Sequence, residues 1–418
     1  MTPILLAILA AVLLFIAGEA LRPRYGILQY PFLAASGLLG FVVPQAIGVA
    51  RAGSAPDAAI ARTLVMCILC AAAIHLGWNS RVPPAWLRPP SPIPTRTLYA
   101  IAVALIAIGL AAYLKITAMS GGLVAHYSAG GHYSLTWSGM PVVYSFFVQW
   151  LEPGFTLATL CALRLRSKFR LAPPAIAGLI FIASVVFLAR RTMLVWLCLA
   201  LPAIAWFARR WAPPRWAALA AVPVLAVAIV LAPYYRRHSP IGSDTGRLAA
   251  LDPGAGVKAV LDGSDAEFWA MAHVIEITAR ERLYDYGVGF YNAFVLIYVP
   301  KLLVGEDGKR ALLADAPSRT AYDSYEWRIP YGMVPGGPAT AFAQFWYAGA
   351  IVYFFIARWM RFLWVRANET GDVVYQSIYA AGAVYGVTAA VTDMYAIYLP
   401  FFQYFLPLAA LNEWFRKR

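Results

Sequence analysis

Apolar runs of membrane-crossing length alternate with short polar loops along this chain, and one long polar stretch interrupts the alternation. A helix needs about 20 apolar residues to cross a bilayer. By that measure the pattern predicts spans near 2–20, 31–50, 62–78, 97–118, 141–163, 172–189, 192–208, 216–233, 339–357, 374–391 and 396–413. Only Arg190-Arg191 separates the sixth and seventh, which predicts a tight helical hairpin. The expected fold class is all-α, a polytopic membrane protein with about 11 transmembrane helices and one large external loop. Three regions follow: a membrane bundle of eight spans over 1–233, the loop over 234–338 with short and re-entrant helices, and a bundle of three spans over 339–418. Within the loop, Asp265 to Leu283 reads as a helix. Val288 to Val304 is apolar, but Pro300-Lys301 interrupts it. Counting it as a span would reverse the side on which Arg358 to Arg366 lie, so it reads as a re-entrant or interfacial helix.

Composition sharpens this picture. The chain of 418 residues is 61% hydrophobic and 13% charged, with mean hydropathy +0.65. Soluble domains carry about 25% charged residues. The formal net charge of +14 does not imply nucleic acid, because the excess sits in short clusters beside apolar segments. One set of alternate short loops holds Arg22 and Arg24; Arg81, Arg88 and Arg96; Arg164, Arg166, Lys168 and Arg170; Arg209, Arg210 and Arg215; Arg358, Arg361 and Arg366; and Arg416, Lys417 and Arg418. The opposite short loops hold only Arg51, Arg62, Arg190 and Arg191. Cytoplasmic loops are the basic ones. The expected location is therefore the bacterial inner (cytoplasmic) membrane, multi-pass, with the N-terminus and the long loop periplasmic and the C-terminus cytoplasmic. Met1 to Gly18 lacks a basic n-region and its arginines follow the apolar run, so it reads as a retained first helix. Cys67, Cys70, Cys161 and Cys198 all fall in apolar runs and read as packing residues. The proline-rich segment from Arg81 to Thr97 reads as a stiff linker.

Candidate chemistry lies outside the spans. Arg190 and Arg191 break the charge pattern, in a two-residue turn on the face whose short loops hold few cations. They either snorkel to lipid phosphate or form an anion site, since guanidinium binds phosphate bidentately and keeps its charge. The loop from Ser120 to Tyr133 is uncharged and rich in Gly, His, Tyr and Ser, a surface suited to sugar hydroxyls; His126 and His132 are its candidate substrate-binding residues. Histidines six apart do not share a helix face, which argues against a metal there. In the large loop, His273, Glu276 and Arg280 recur at i, i+3 and i+7 and can share a helix face, either as a site or as a solvated surface. Arg236 and Arg237 lie in an aromatic, basic cluster suited to an anion, and Tyr291, Lys301 and Arg328 mix aromatics with charge. Glu152 and Asp393 are rare acids for their settings. No GxSxG, HExxH, P-loop or helix-opening GxGxxG is present. No cofactor and no metal is expected. Chemistry at the outer face then needs a substrate already activated there, and polyprenyl-pyrophosphate sugars are that class.

Three stretches resemble a known family. Phe187 to Leu194, containing Arg190-Arg191, looks like a hairpin arginine motif. Tyr286-Gly287-Val288-Gly289-Phe290-Tyr291 followed by Tyr298-Val299-Pro300-Lys301 is similar to a loop pattern of G-x-S/G-aromatic and then I-P-R/K. Gly332 to Thr340 and Gln344 to Gly349 resemble a Gly/Pro-rich turn leading into E-x-Y-x-x-x-G. Together they resemble Wzy-type O-antigen and exopolysaccharide repeat-unit polymerases, of the O-antigen polymerase and ligase superfamily. Gln344 stands where an acid is common and Lys301 where arginine is common. The resemblance implies a GT-C-related helical fold and metal-independent glycosyl transfer from polyprenyl (undecaprenyl) pyrophosphate-linked oligosaccharide. Its implied partners are that lipid-linked oligosaccharide, membrane lipid, a chain-length regulator and a flippase, and no nucleic acid. On this reading Arg190 and Arg191 stabilise the leaving pyrophosphate, His273 and Glu276 are candidate bases, and Lys301 and Arg237 bind a second pyrophosphate. Alternatives are an O-antigen ligase, a lipid-linked oligosaccharide transporter, and a scaffold subunit. A transporter should carry internal repeats and midplane charges, and neither is evident.

Overall fold

The computed structural model describes residues 1–83, 86, 93–128, 140–188, 190–217, 219–221, 223–224, 254, 258, 267–299, 301–319, 335–398 and 401–417. Among these, every regular element is helical. The N-terminal part comprises α1 (Thr2–Ala20), α2 (Tyr30–Gly37), α3 (Val43–Ala52), α4 (Asp57–Trp78), α5 (Thr95–Met119), α6 (Leu123–Ser128), α7 (Met140–Val148), α8 (Leu151–Arg164), α9 (Ala172–Leu188) and α10 (Arg191–Arg209). The large loop contributes α11 (Glu267–Glu281), α12 (Val288–Tyr298) and α13 (Lys301–Ala311). The C-terminal part comprises α14 (Gly337–Phe345), α15 (Ile351–Trp364), α16 (Val373–Val391) and α17 (Leu406–Lys417).

Nine helical stretches among the described residues are long and apolar enough to cross a membrane: Thr2–Ala20, Tyr30–Ala52, Asp57–Trp78, Thr95–Met119, Val143–Arg164, Phe169–Phe187, Thr192–Arg209, Gly337–Glu369 and Met394–Lys417. They match nine of the expected spans in position. α16 coincides with the expected tenth span. The expected eighth, 216–233, lies mostly outside the described residues. Among the described residues the fold is thus all-helical, with helices of the length and composition of a membrane-embedded protein. α12 has 11 residues. At about 1.5 Å per residue it is roughly half the length needed to span.

Several spans are not single helices. A π-helical segment, Leu38–Val42, joins α2 to α3. The fifth span tightens between α7 and α8 into a turn at Gln149-Trp150, where Trp150 stays right-handed (φ −68°, ψ −12°). The ninth ends its first part at Phe345, where Trp346 adopts φ 55° and ψ −144°, and resumes through a 3-10 turn over Trp346–Ala350. These irregularities are differences from the uninterrupted spans expected, because hydropathy registers length and not backbone continuity.

α16 is the axis of the bundle. Every residue in it except Thr388 is buried, and α2, α8, α10, α14 and α15 pack around it. Small residues allow the close approach, and its polar side chains bond across helices. Tyr379 donates to Leu28 O (2.8 Å), Ser377 and Thr156 share a hydroxyl contact (2.6 Å), and Tyr385 donates to Glu152 (2.5 Å).

The basic loops assigned to one side by charge converge at one end. Arg215 donates to Arg22 O (2.8 Å), Arg210 to Asn368 (2.7 Å), Arg164 to Gln376 (2.7 Å) and Arg358 to Ser80 (2.7 Å). At the same end the buried Asp372 caps α16 through Val374 N (3.0 Å) and accepts from Asn412 (3.0 Å) and Arg416 (3.5 Å) of α17.

Candidate functional site

The opposite end carries the large loop, and the candidate residues fall there into three groups. The first surrounds Arg190. α9 and α10 form the expected hairpin, with Arg190 as the N-cap of α10 (φ −73°, ψ 91°) and its backbone N–H donating to Ser184 O (3.3 Å). An aromatic triad fixes the hairpin on α8: Phe155, Phe181 and Trp196 have ring centroids 5.0–5.6 Å apart. The Arg190 charge acts on His126, Tyr127 and Glu152. His126 lies on α6, so this part of the loop is helical. Its ring is buried edge-on against Tyr113 and Tyr127, with Nδ1 3.3 Å from Ser120 Oγ. Burial first, and Arg190 second, hold the His126 pKa below the ordinary histidine value. Glu152, 3% exposed, sits in the first turn of α8 just after the Gln149-Trp150 turn.

The second group lies on α11, which packs against α3, α4 and α14. Trp269 Nε1 donates to Ser54 O (3.1 Å), and His273 Nε2 lies 3.4 Å from the same oxygen. The Trp269 and His273 rings are 4.4 Å apart. Glu276 forms an ion pair with Arg62 of α4. The Arg62 charge also reaches Tyr284 and Tyr347. Arg280, the third member of the expected face, is exposed and pairs with Glu281 (2.9 Å). His273 and Glu276 therefore face the bundle together, and Arg280 turns away from it to a neighbour on its own helix.

The third group joins two motif stretches far apart in sequence. Tyr286 (φ 49°) and Gly287 (φ 96°) form a left-handed turn between α11 and α12. Asp285 N donates to Ala343 O (2.9 Å) and Tyr286 N to Gln344 O (2.9 Å), satisfying carbonyls that the end of α14 leaves unpaired. The Gln344 side chain accepts from Gly289 N (3.1 Å) and donates to Asp285 (2.9 Å) and Tyr395 OH (3.1 Å). Asp285, 3% exposed, also accepts from the Ser318 N–H (2.8 Å) and hydroxyl (2.5 Å). A Cβ at Gly289 would meet Gln344 Nε2 and the Tyr395 hydroxyl, so any larger residue at the second glycine of the motif must displace these side-chain ends. The glutamine at the position where the resembled pattern carries an acid serves both as acceptor for Gly289 and as donor to Asp285.

Tyr291 is exposed on α12. Lys301 pairs with Glu306 (2.9 Å) across the kink at Gly305 (φ 75°, ψ 172°) that interrupts α13, beside Lys309 and Arg310. Leu302 and Leu303, next in sequence, are 63% and 78% exposed. An apolar ridge flanked by cations is the composition of an interfacial segment. Arg236, Arg237, Arg328 and His132 lie outside the described residues, as does the Arg191 side chain. Sequence reasoning missed Arg62, Asp285 and the role of Gln344. Arg62 was legible only as a loop charge, since its partner lies 214 positions away.

Comparison with protein-family models, with curated proteins and with solved structures finds no match to this chain.

Proposed function

We propose that the chain is a polysaccharide polymerase of the bacterial inner membrane, with its loop-bearing end in the periplasm and a GT-C-related bundle. It moves a glycan from polyprenyl pyrophosphate onto a sugar hydroxyl of an incoming lipid-linked repeat unit. The acceptor oxygen bonds to the anomeric carbon, the bond from that carbon to the pyrophosphate oxygen breaks, and the electron pair leaves on pyrophosphate. Arg190, with Arg191, stabilises that departing charge, because a preorganised donor in a site shielded from water is worth more than one in bulk solvent. The acceptor proton passes to a base, for which His273 and Glu276 of α11 are the candidates. Lys301 and Arg237 bind the second pyrophosphate, and no metal takes part.

The observation that carries this reading is the Gln344 junction. Two stretches that resemble the polymerase pattern, separated by dozens of residues, meet through the Tyr286 N–H on Gln344 O and the Gly289 N–H on the Gln344 side chain, at a glycine whose Cβ would displace the ends of Gln344 and Tyr395. The hairpin of α9 and α10, with Arg190 as the N-cap of α10, supports the same reading. The ligase reaction uses the same donor with a lipid A-core acceptor. Surface polysaccharide from a deletion strain separates the two. Loss of a polymerase leaves single repeat units on the acceptor, whereas loss of a ligase leaves unattached polymer. Unchanged polysaccharide would reject both.

A further inference from the structure

Five rings form a connected set where the turn after α11 meets the end of α14. Tyr286 contacts Tyr284 (ring centroids 6.2 Å apart), Tyr284 contacts Phe342 (6.0 Å), Phe342 contacts Tyr347 (5.2 Å) and Tyr347 contacts Trp346 (5.0 Å). Phe342 is fully buried, but the end members stand in the open: Tyr286 is 75% and Trp346 53% exposed. Both end members also hold backbone conformations that bulky residues rarely adopt, Tyr286 at φ 49° and Trp346 at φ 55° and ψ −144°. Strain of this kind persists only where the surroundings impose it. Here the Asp285 N–H on Ala343 O and the Tyr286 N–H on Gln344 O clamp the two turns together. Glycine would suit either backbone better, and the two rings gain little burial in return. Packing therefore does not explain an aromatic at either position, which leaves what the rings present to the outside.

The polar edges of the set point to the same conclusion. Inside the bundle, tyrosine hydroxyls donate to backbone carbonyls: Tyr30 to Gly386 O, Tyr353 to Ala389 O and Tyr379 to Leu28 O. Among the described residues, the hydroxyls of Tyr284, Tyr286 and Tyr347 make no such bond. A charged pair lies alongside: α11 and the 3-10 turn over Trp346–Ala350 both pack on α4 and α14, and Glu276 of α11 holds Arg62 of α4. Exposed ring faces rimmed by hydroxyls and a charged pair match a pyranose, which has a face of C–H groups and an edge of hydroxyls. An aromatic belt at a membrane surface requires only the right depth, and helical residues in ordinary conformations supply it. We infer that Tyr286 and Trp346, linked through Tyr284 and Tyr347, form a carbohydrate-binding surface that takes a pyranose of the acceptor repeat unit beside α11. The acceptor role rests on the polymerase reading; the sugar class rests on the rings.

The test uses the full chain in lipid nanodiscs. The probe is the repeat-unit oligosaccharide released by mild acid from the surface polysaccharide of the parent strain, titrated by NMR. Trp346→Gly and Tyr286→Gly remove a ring and give each backbone the residue that fits it. Each is expected to weaken oligosaccharide binding roughly tenfold, the scale of one stacked ring, and to shorten the polymer in cells. The thermal midpoint of each variant is expected to stay the same or rise, because the strain goes with the ring. Trp346→Phe and Tyr286→Phe keep a ring and are expected to keep most of the affinity. Parental binding in both glycine variants would leave the rings as a membrane belt and overturn the inference. So would a lowered midpoint that accounts for the lost binding, or a parent protein that binds no oligosaccharide. The polymerase reading fails on a different result, unchanged polysaccharide in the deletion strain.

Discussion

Arg190 is the residue on which the mechanism turns, and its replacement separates a chemical role from a lipid anchor. Arg190→Ala should reduce polymer synthesis by about 100- to 1000-fold, the usual cost of losing one preorganised charge-stabilising donor, with normal accumulation of the protein. Arg190→Lys keeps charge without the bidentate fork and should restore only part. A snorkelling anchor would tolerate either change. The same alanine variant carries an internal check. Burial and Arg190 both lower the His126 pKa, so removing the cation should raise it part of the way back toward about 6.5. The sign also fixes the pH response. With the folded value depressed, His126 contributes stability that is present above about 6.5 and is lost as pH falls through the folded value. NMR titration of the imidazole reads both effects, and an unmoved His126 would separate the two side chains. Arg190 was legible in sequence because it violated the charge pattern. Glu276 was visible only as part of a helical face, since nothing local marks Arg62 as its partner. Asp285 was invisible, because its partners Ser318 and Gln344 come from distant segments.

At the scale of elements, hydropathy located the spans well and α11 to within two residues at either end, the expected Asp265 to Leu283 becoming Glu267–Glu281. It did not locate the turn at Gln149-Trp150 or the break at Trp346, because apolar composition runs through both. Both are tertiary: the first leads into Glu152, and the second frees carbonyls for the turn at Asp285 and Tyr286. The junction of α15, α16 and α17 shows how much one cap can hold. Asp372 closes the N-terminus of α16 and binds Asn412 and Arg416 of α17. Asp372→Ala should remove the cap and leave the buried Asn412 amide without its acceptor, while Arg416 keeps Glu413 (3.1 Å), a loss of about 1–3 kcal/mol. Thermal unfolding in detergent should show a lowered midpoint, with the proportional activity of the surviving folded fraction unchanged. Activity lost without a change in the midpoint would give Asp372 a different role.

For the whole molecule, the basic loops meet at one end and the large loop, the Ser54 turn and the Arg190 hairpin lie toward the other. Reporter fusions at Lys168 and Gly371 should therefore read cytoplasmic, and fusions at Ser54 and Gly305 external. A cytoplasmic signal at Gly305 would overturn the orientation and put the loop on the side where nucleotide donors are found. The burial of α16 also bears on how the protein is made. Nearly all of its surface faces other helices, and it carries Gln376, Ser377, Tyr379 and Tyr385 across its length. Lipid offers these groups nothing to bond. The helix is thus a poor candidate for stable partition into the bilayer on its own, and it leaves the ribosome after most of its neighbours. Its insertion becomes a docking event onto α2, α8 and α10 already in the membrane, so that biogenesis, rather than hydrophobicity, decides whether the axis of the bundle is in place.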